Sequence, residues 1–134
     1  MPHTVNAGRA AYAYQCVQEV LNDNDITDSE YKSYVKSLPL VIKANGLCQA
    51  LAFCAVKAVK NPAYRKISSQ IRSHLVEQGC LPPGTGDLLA VLVGLEPKPY
   101  FRCTLEVLRL FTWLRRFAEE AITENEPAPD DLEE

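Results

Sequence analysis

Between Tyr31 and Val76 the sequence contains no aspartate or glutamate, although Lys32, Lys36, Lys43, Lys57, Lys60, Arg65, Lys66 and Arg72 all fall there. At the acid density of the whole chain about six acids would be expected in that stretch, so it reads as a surface held positive. Histidine is scarce too: His3 lies in a terminal arm and His74 stands alone in a predicted helix, which leaves a catalytic base without support. The five cysteines (Cys16, Cys48, Cys54, Cys80, Cys103) include no C-x-x-C pair, so neither a disulfide framework nor a zinc site has its spacing, and core filling is the expected role. No metal or cofactor is implied.

Gly84-Thr85-Gly86-Asp87 lacks the Gly-Lys-Ser/Thr ending and the preceding strand of a phosphate loop, and after Pro82-Pro83 it reads as a turn. The longest apolar run, Leu88 to Leu95, is far short of the roughly 20 residues that span a bilayer, so no membrane segment is expected. The start, MPHTVNAGRAAY, has no apolar signal core, and with the unpaired cysteines this places the expected location in a reducing cytoplasm.

Sustained period-two alternation is missing as well, which argues against sheet and for an all-α single bundle of about six helices. A helix is predicted over residues 9–21, with Tyr12, Ala13, Cys16, Val17 and Val20 inward. Thr27 and Glu30 have capping-box spacing, opening a helix whose stripe is Tyr31, Tyr34, Val35 and Leu38. Pro39 predicts a kink or break there, with a restart leading to Val41, Ile42 and a left-handed glycine end at Asn45-Gly46. Further helices are expected over 47–59, from Asn61-Pro62 through Tyr64, Ile67, Ile71 and Leu75 to Gly79, and over 87–93, the last as the most buried element. A final helix is predicted from about Phe101 or Thr104 to Thr123, with Val107, Leu110, Phe111, Leu114, Phe117, Ala118, Ala121 and Ile122 on one face. Residues 1–123 thus form one helical domain, and 124–134 an acidic, disordered tail.

Overall charge hides this division. Residues 1–118 carry fourteen bases against nine acids, a formal +5, whereas Glu119 to Glu134 holds eight acids and no base. A basic helical body suits a polyanion. Lys32, Lys36 and Lys43 have the spacing of one stripe on an unbroken helix, from which a break at Pro39 would displace Lys43; like charges four apart repel mildly unless an anion neutralises them, and a solvated face is the alternative. Arg102, Arg109 and Arg116 recur every seven residues beside Arg115, but Glu106 is placed to pair with Arg102 and Arg109, and Glu119 and Glu120 with Arg115 and Arg116. Tyr31 and Tyr34 flank the lysine stripe, where base stacking competes with core membership. Trp113, just off the apolar stripe, is either a core edge or a contact surface.

These residues also carry a resemblance. Tyr31-Lys32-Ser33-Tyr34-Val35-Lys36-Ser37-Leu38-Pro39, followed by Asn45-Gly46-Leu47-Cys48-Gln49-Ala50-Leu51-Ala52-Phe53, resembles the signature of the small subunit of the type III-B CRISPR effector, the Cmr complex. Thr104-Leu105-Glu106-Val107-Leu108 and Trp113-Leu114-Arg115-Arg116-Phe117-Ala118-Glu119 look like its second signature, and Arg9-Ala10 with Tyr12 and Val17 resembles its first helix. The chain departs from the pattern at Cys48, where a small residue is usual, and in Leu81 to Gly86. The resemblance implies an all-helical, non-catalytic subunit stacked in several copies opposite the backbone subunits that hold the guide RNA. There it would help accommodate the guide RNA and target RNA duplex in antiviral defence, with nuclease and polymerase/cyclase-like activities in other subunits. The family's basic positions that match are Arg9, Lys32, Lys36, Arg115 and Arg116; Lys43 joins them on spacing alone. A helical protein-protein scaffold whose basic face meets an acidic protein, and never RNA, remains the alternative.

Overall fold

The computed structural model describes residues 5–122 except Thr85, with side chains from Gly8 onward; the acidic segment 124–134 lies outside the described residues. Six helices occur among them, α1 (Val5–Leu21), α2 (Asp28–Asn45), α3 (Leu47–Ala58), α4 (Pro62–Glu77), α5 (Leu88–Val93) and α6 (Pro97–Ala121), and no strand does. The long α6 is the axis against which α1 and α2 pack most extensively, while α3 lies on α4 and α2, and α5 rests on α3.

The helical stripes explain the core. Ile67, Ile71 and Leu75 of α4 and Val107, Leu110, Phe111, Leu114 and Ala118 of α6 are buried, as are Ala13, Cys16, Val17 and Val20 of α1. Three boundaries depend on local chemistry. Asn61 caps α4 by accepting from the Ala63 and Tyr64 amides ahead of Pro62 in the first turn. At its other end Gly79 (φ 75°) donates to the Val76 carbonyl and Cys80 to that of Leu75, the paired bonds of a Schellman turn. Gly46 joins α2 to α3 at φ 92°, ψ 160°, outside the left-handed helical well and in a region open essentially to glycine alone.

Four expectations are corrected. Helix α2 runs unbroken through Pro39, which forfeits one backbone hydrogen bond while packing against α6 and α3 holds both flanking turns. Thr27 stands at the N-cap without a side-chain cap bond, and its carbonyl simply accepts from Tyr31. Helix α6 begins at Pro97 because its first-turn amides have no helical partner anyway, so prolines at 97 and 99 cost it nothing there. Helix α5 is not the most buried element: only Leu92 is enclosed and Val93 is 70% exposed, since a one-and-a-half-turn helix lying on α3 must turn some apolar residues outward.

Polar groups tie the core together. Arg9 of α1 meets Glu106 of α6 in a two-pronged ion pair, Nε to Oε2 at 2.6 Å and Nη2 to Oε1 at 2.9 Å. His74 of α4 adds its Nε2 to the same Oε2 at 2.7 Å, and Tyr12 stacks on its ring. Glu106 therefore pairs with neither Arg102 nor Arg109, and His74 is not alone. Burial pushes the Glu106 carboxyl up, but hydrogen bonds and charge from Arg9 and His74 outweigh it and hold the group below its ordinary value. A second hub, Gln70, accepts from Tyr31 Oη at 2.7 Å and from Tyr12 Oη through its own carbonyl at 2.9 Å, and it donates to the Cys16 carbonyl at 3.2 Å.

Removing one member of the ion pair leaves a buried charge without its counterpart. Glu106→Gln should cost about 3–5 kcal/mol in denaturant titration, and an Arg9→Met/Glu106→Leu double variant should recover part of that loss. Because the folded carboxyl is depressed, its contribution is complete above the unfolded value near 4.5 and is lost as pH falls through the folded one. Wild-type stability should therefore drop on acidification below that value, and Glu106→Gln should flatten the drop.

Candidate nucleic-acid interface

A positive segment in sequence need not be one surface in space. Of its eight bases, Arg65 donates to the Ala58 and Val59 carbonyls at the end of α3, Arg72 to the Gly86 carbonyl, and Lys66 pairs with Glu19 at 3.2 Å. Lys57 sits over the Phe53 ring. Arg65 and Arg72 thus close a helix end and a loop, Lys66 links α4 to α1, and Lys57 lies along its own helix, so these four are engaged within the protein.

The six candidate residues divide by burial. The Arg9 head group is taken by Glu106, and Lys32, only 6% exposed, donates from Nζ to the Ile122 carbonyl at 2.8 Å, tying α2 to the end of α6. Both head groups therefore have partners inside the bundle, and charge spacing along the chain does not reveal depth. Lys36, Lys43, Arg115 and Arg116 are exposed.

Those four converge. Helices α2 and α6 run antiparallel, with Lys32 against Ile122 and Lys36 against Glu119, and between them opens a groove of about 500 Å³. Pro39, Leu108 and Phe111 line it together with Lys43, Arg115 and Arg116; Thr112 and Glu119 complete the wall. The continuity of α2 through Pro39 keeps Lys36 and Lys43 on one side. Among the described residues Glu119 is the groove's one acid, 3.9 Å from Lys36 Nζ and 3.3 Å from Arg115 Nε. Both pairs are solvent-exposed and hold their members weakly, so an anion of higher charge density can displace the carboxylate. The chemistry available is electrostatic: lysine and forked arginine donors on an apolar floor, suited to phosphate oxygens.

Other candidates find internal roles. Tyr31 is wholly buried, and Tyr34 is half-buried, stacked on Tyr64 with its hydroxyl accepting from Asn61, so both rings take part in the packing of the bundle. Trp113 stacks on Phe117, which meets Tyr14 edge-on, making an aromatic row along α6 and α1. All five cysteines are free; burial pushes the Cys16 thiol up to about 12 and those of Cys54 and Cys103 to about 11, leaving them unreactive at neutral pH. Among the described residues no group of three His, Cys, Asp or Glu side chains is placed to hold a metal ion, and no helix is long and apolar enough to cross a membrane.

Residues 5–121 match the family model for CRISPR-associated protein Cas_Cmr5. The fold is also similar to the crystal structure of a CRISPR-associated Cmr5 family protein from Thermus thermophilus, at 27% identity and a TM-score of 0.68. That similarity spans 88% of this chain and 97% of the other.

The division between buried and exposed bases is measurable without any ligand. Lys32→Ala should lower unfolding free energy by about 2 kcal/mol, the scale of a buried hydrogen bond from a charged donor. Lys36→Ala and Arg116→Ala should each stay within about 0.5 kcal/mol of wild type.

Proposed function

Since the chain belongs to the Cmr5 family of CRISPR-associated proteins, the small subunit of the type III-B Cmr complex, we propose that its α2–α6 groove is a track for RNA backbone within that complex. The family's subunit is a component without catalysis of its own, and its task here is to position the guide RNA and target RNA duplex. The observation that carries this reading is the convergence of Lys43 with Arg115 and Arg116 in one groove, with Lys36 at its edge. Arg9 and Lys32 support it from within by fixing α1 and α2 on α6.

Such a groove binds phosphates without reading bases, which suits a complex whose sequence recognition is delegated to pairing with the guide. One copy touching two or three phosphates binds weakly, and affinity comes from stacking copies along the duplex. Exposed apolar side chains suit contacts with further copies and with the backbone and large subunits: Val56 and Val59 on α3 are 74% and 75% exposed, and Leu40 on α2 is 70%.

In a reconstituted complex, a Lys43→Ala/Arg115→Ala/Arg116→Ala subunit should assemble normally. It should flatten the log-log salt dependence of duplex binding by about 2 per copy engaged, at about 0.7–0.9 per lost phosphate contact. An unchanged slope with intact assembly would favour the scaffold reading, in which the basic face meets protein alone.

A further inference from the structure

The groove has an anionic neighbour in its own chain. Helix α6 ends beside α2, where the Lys32 ammonium donates to the Ile122 carbonyl at 2.8 Å, and Glu119, one turn earlier, lines the groove. The next twelve residues, 123–134, carry Glu124, Glu126, Asp130, Asp131, Glu133 and Glu134 and no base.

We propose that residues 123–134 occupy the α2–α6 groove when RNA is absent and are displaced by incoming phosphates, a regulation of the RNA site that rests on the reading above. Charge is complementary: the segment has six carboxylates, and the groove has four bases, Lys36, Lys43, Arg115 and Arg116, that among the described residues Glu119 partly offsets. Reach suffices, because returning from Ile122 to the level of Thr112 takes about 15 Å along α6, whereas twelve extended residues span about 40 Å. The tether matters most. A segment joined directly to the groove's end meets it at millimolar effective concentration, so individually weak ion pairs hold it there.

The consequence is selectivity. If the segment fills the groove in nine molecules of ten, apparent affinity for an RNA touching one copy falls about ten-fold. A stray strand on one copy has nothing to offset that loss, whereas a duplex spanning stacked copies meets it at each groove but is held by the effective concentration that links its contacts. The contact is Coulombic and fades with salt as the screening length shrinks from about 10 Å at 0.1 M to about 3 Å at 1 M.

The test uses the full chain with its segment neutralised by Glu124→Gln, Glu126→Gln, Asp130→Asn, Asp131→Asn, Glu133→Gln and Glu134→Gln. Without RNA, amide NMR shifts between the two proteins should concentrate at Lys36, Lys43, Thr112, Arg115 and Arg116 at low salt and vanish at 1 M. No shifts there, or shifts centred on α3 and α4, overturn the proposal. With a short single-stranded RNA of mixed sequence, the neutralised protein should bind about ten-fold tighter, and Lys43→Ala/Arg115→Ala/Arg116→Ala in both backgrounds should erase the gain. Groove shifts with no change in RNA affinity would leave the segment seated and refute the RNA track instead.

Discussion

The fold depends on one carboxylate taken out of water. Glu106 sits between the Arg9 guanidinium and the His74 imidazole and joins α1, α4 and α6, three helices that meet nowhere near one another in the chain. Hydrophobic burial supplies most of the driving force but is indifferent to register. A two-pronged arginine-carboxylate pair is not, because a slide of α1 along α6 by one residue would strand both charges. Gln70 applies the same constraint to α1, α2 and α4. Together the two hubs fix α2 and α6 side by side, and the external groove is a consequence of that internal geometry.

The buried and exposed bases thus do different physical work. Inside, Arg9 and Lys32 have fixed partners and fixed positions; outside, Lys43 and Arg116 stand in solvent, and Lys36 and Arg115 share one carboxylate. A surface meant to accept and release a polyanion gains from the second arrangement, since weak exposed pairs exchange readily. The bases between Tyr31 and Val76 divide in the same way: Lys36 and Lys43 border the groove, whereas Arg65 and Arg72 close a helix end and a loop.

Periodicity makes the fold readable from sequence: the three-and-four spacing of Ile67, Ile71 and Leu75, and of the α6 stripe, assigns their inward faces correctly. Periodicity says which residues face inward and not which of them meet. Arg9 and Glu106 lie 97 positions apart and Glu106 and His74 lie 32 apart, so local charge spacing directs Glu106 toward Arg102 and Arg109 and leaves His74 unpaired. The one available hint was Glu106 itself, an acid flanked by the apolar Leu105, Val107 and Leu108. Lys43, Arg115 and Arg116, singled out by spacing and resemblance, line one groove, whereas the depth of Arg9 and Lys32 is set by packing that no count of charges contains. Proline was an uneven signal: Pro62 marks the start of α4 as expected, but three others mark no break. Pro39 sits within a continuous helix and Pro97 and Pro99 within the first turn of another, because the amides that proline lacks are expendable there or offset by tertiary contacts.

The most direct measurement is photo-crosslinking of the guide RNA and target RNA duplex to this subunit in an assembled Cmr complex, with the linked peptides identified by mass spectrometry. Crosslinks within residues 36–43 and 108–119 are what the groove predicts; crosslinks confined to the α3–α4 side, around Lys57, Lys60 and Arg65, would contradict it.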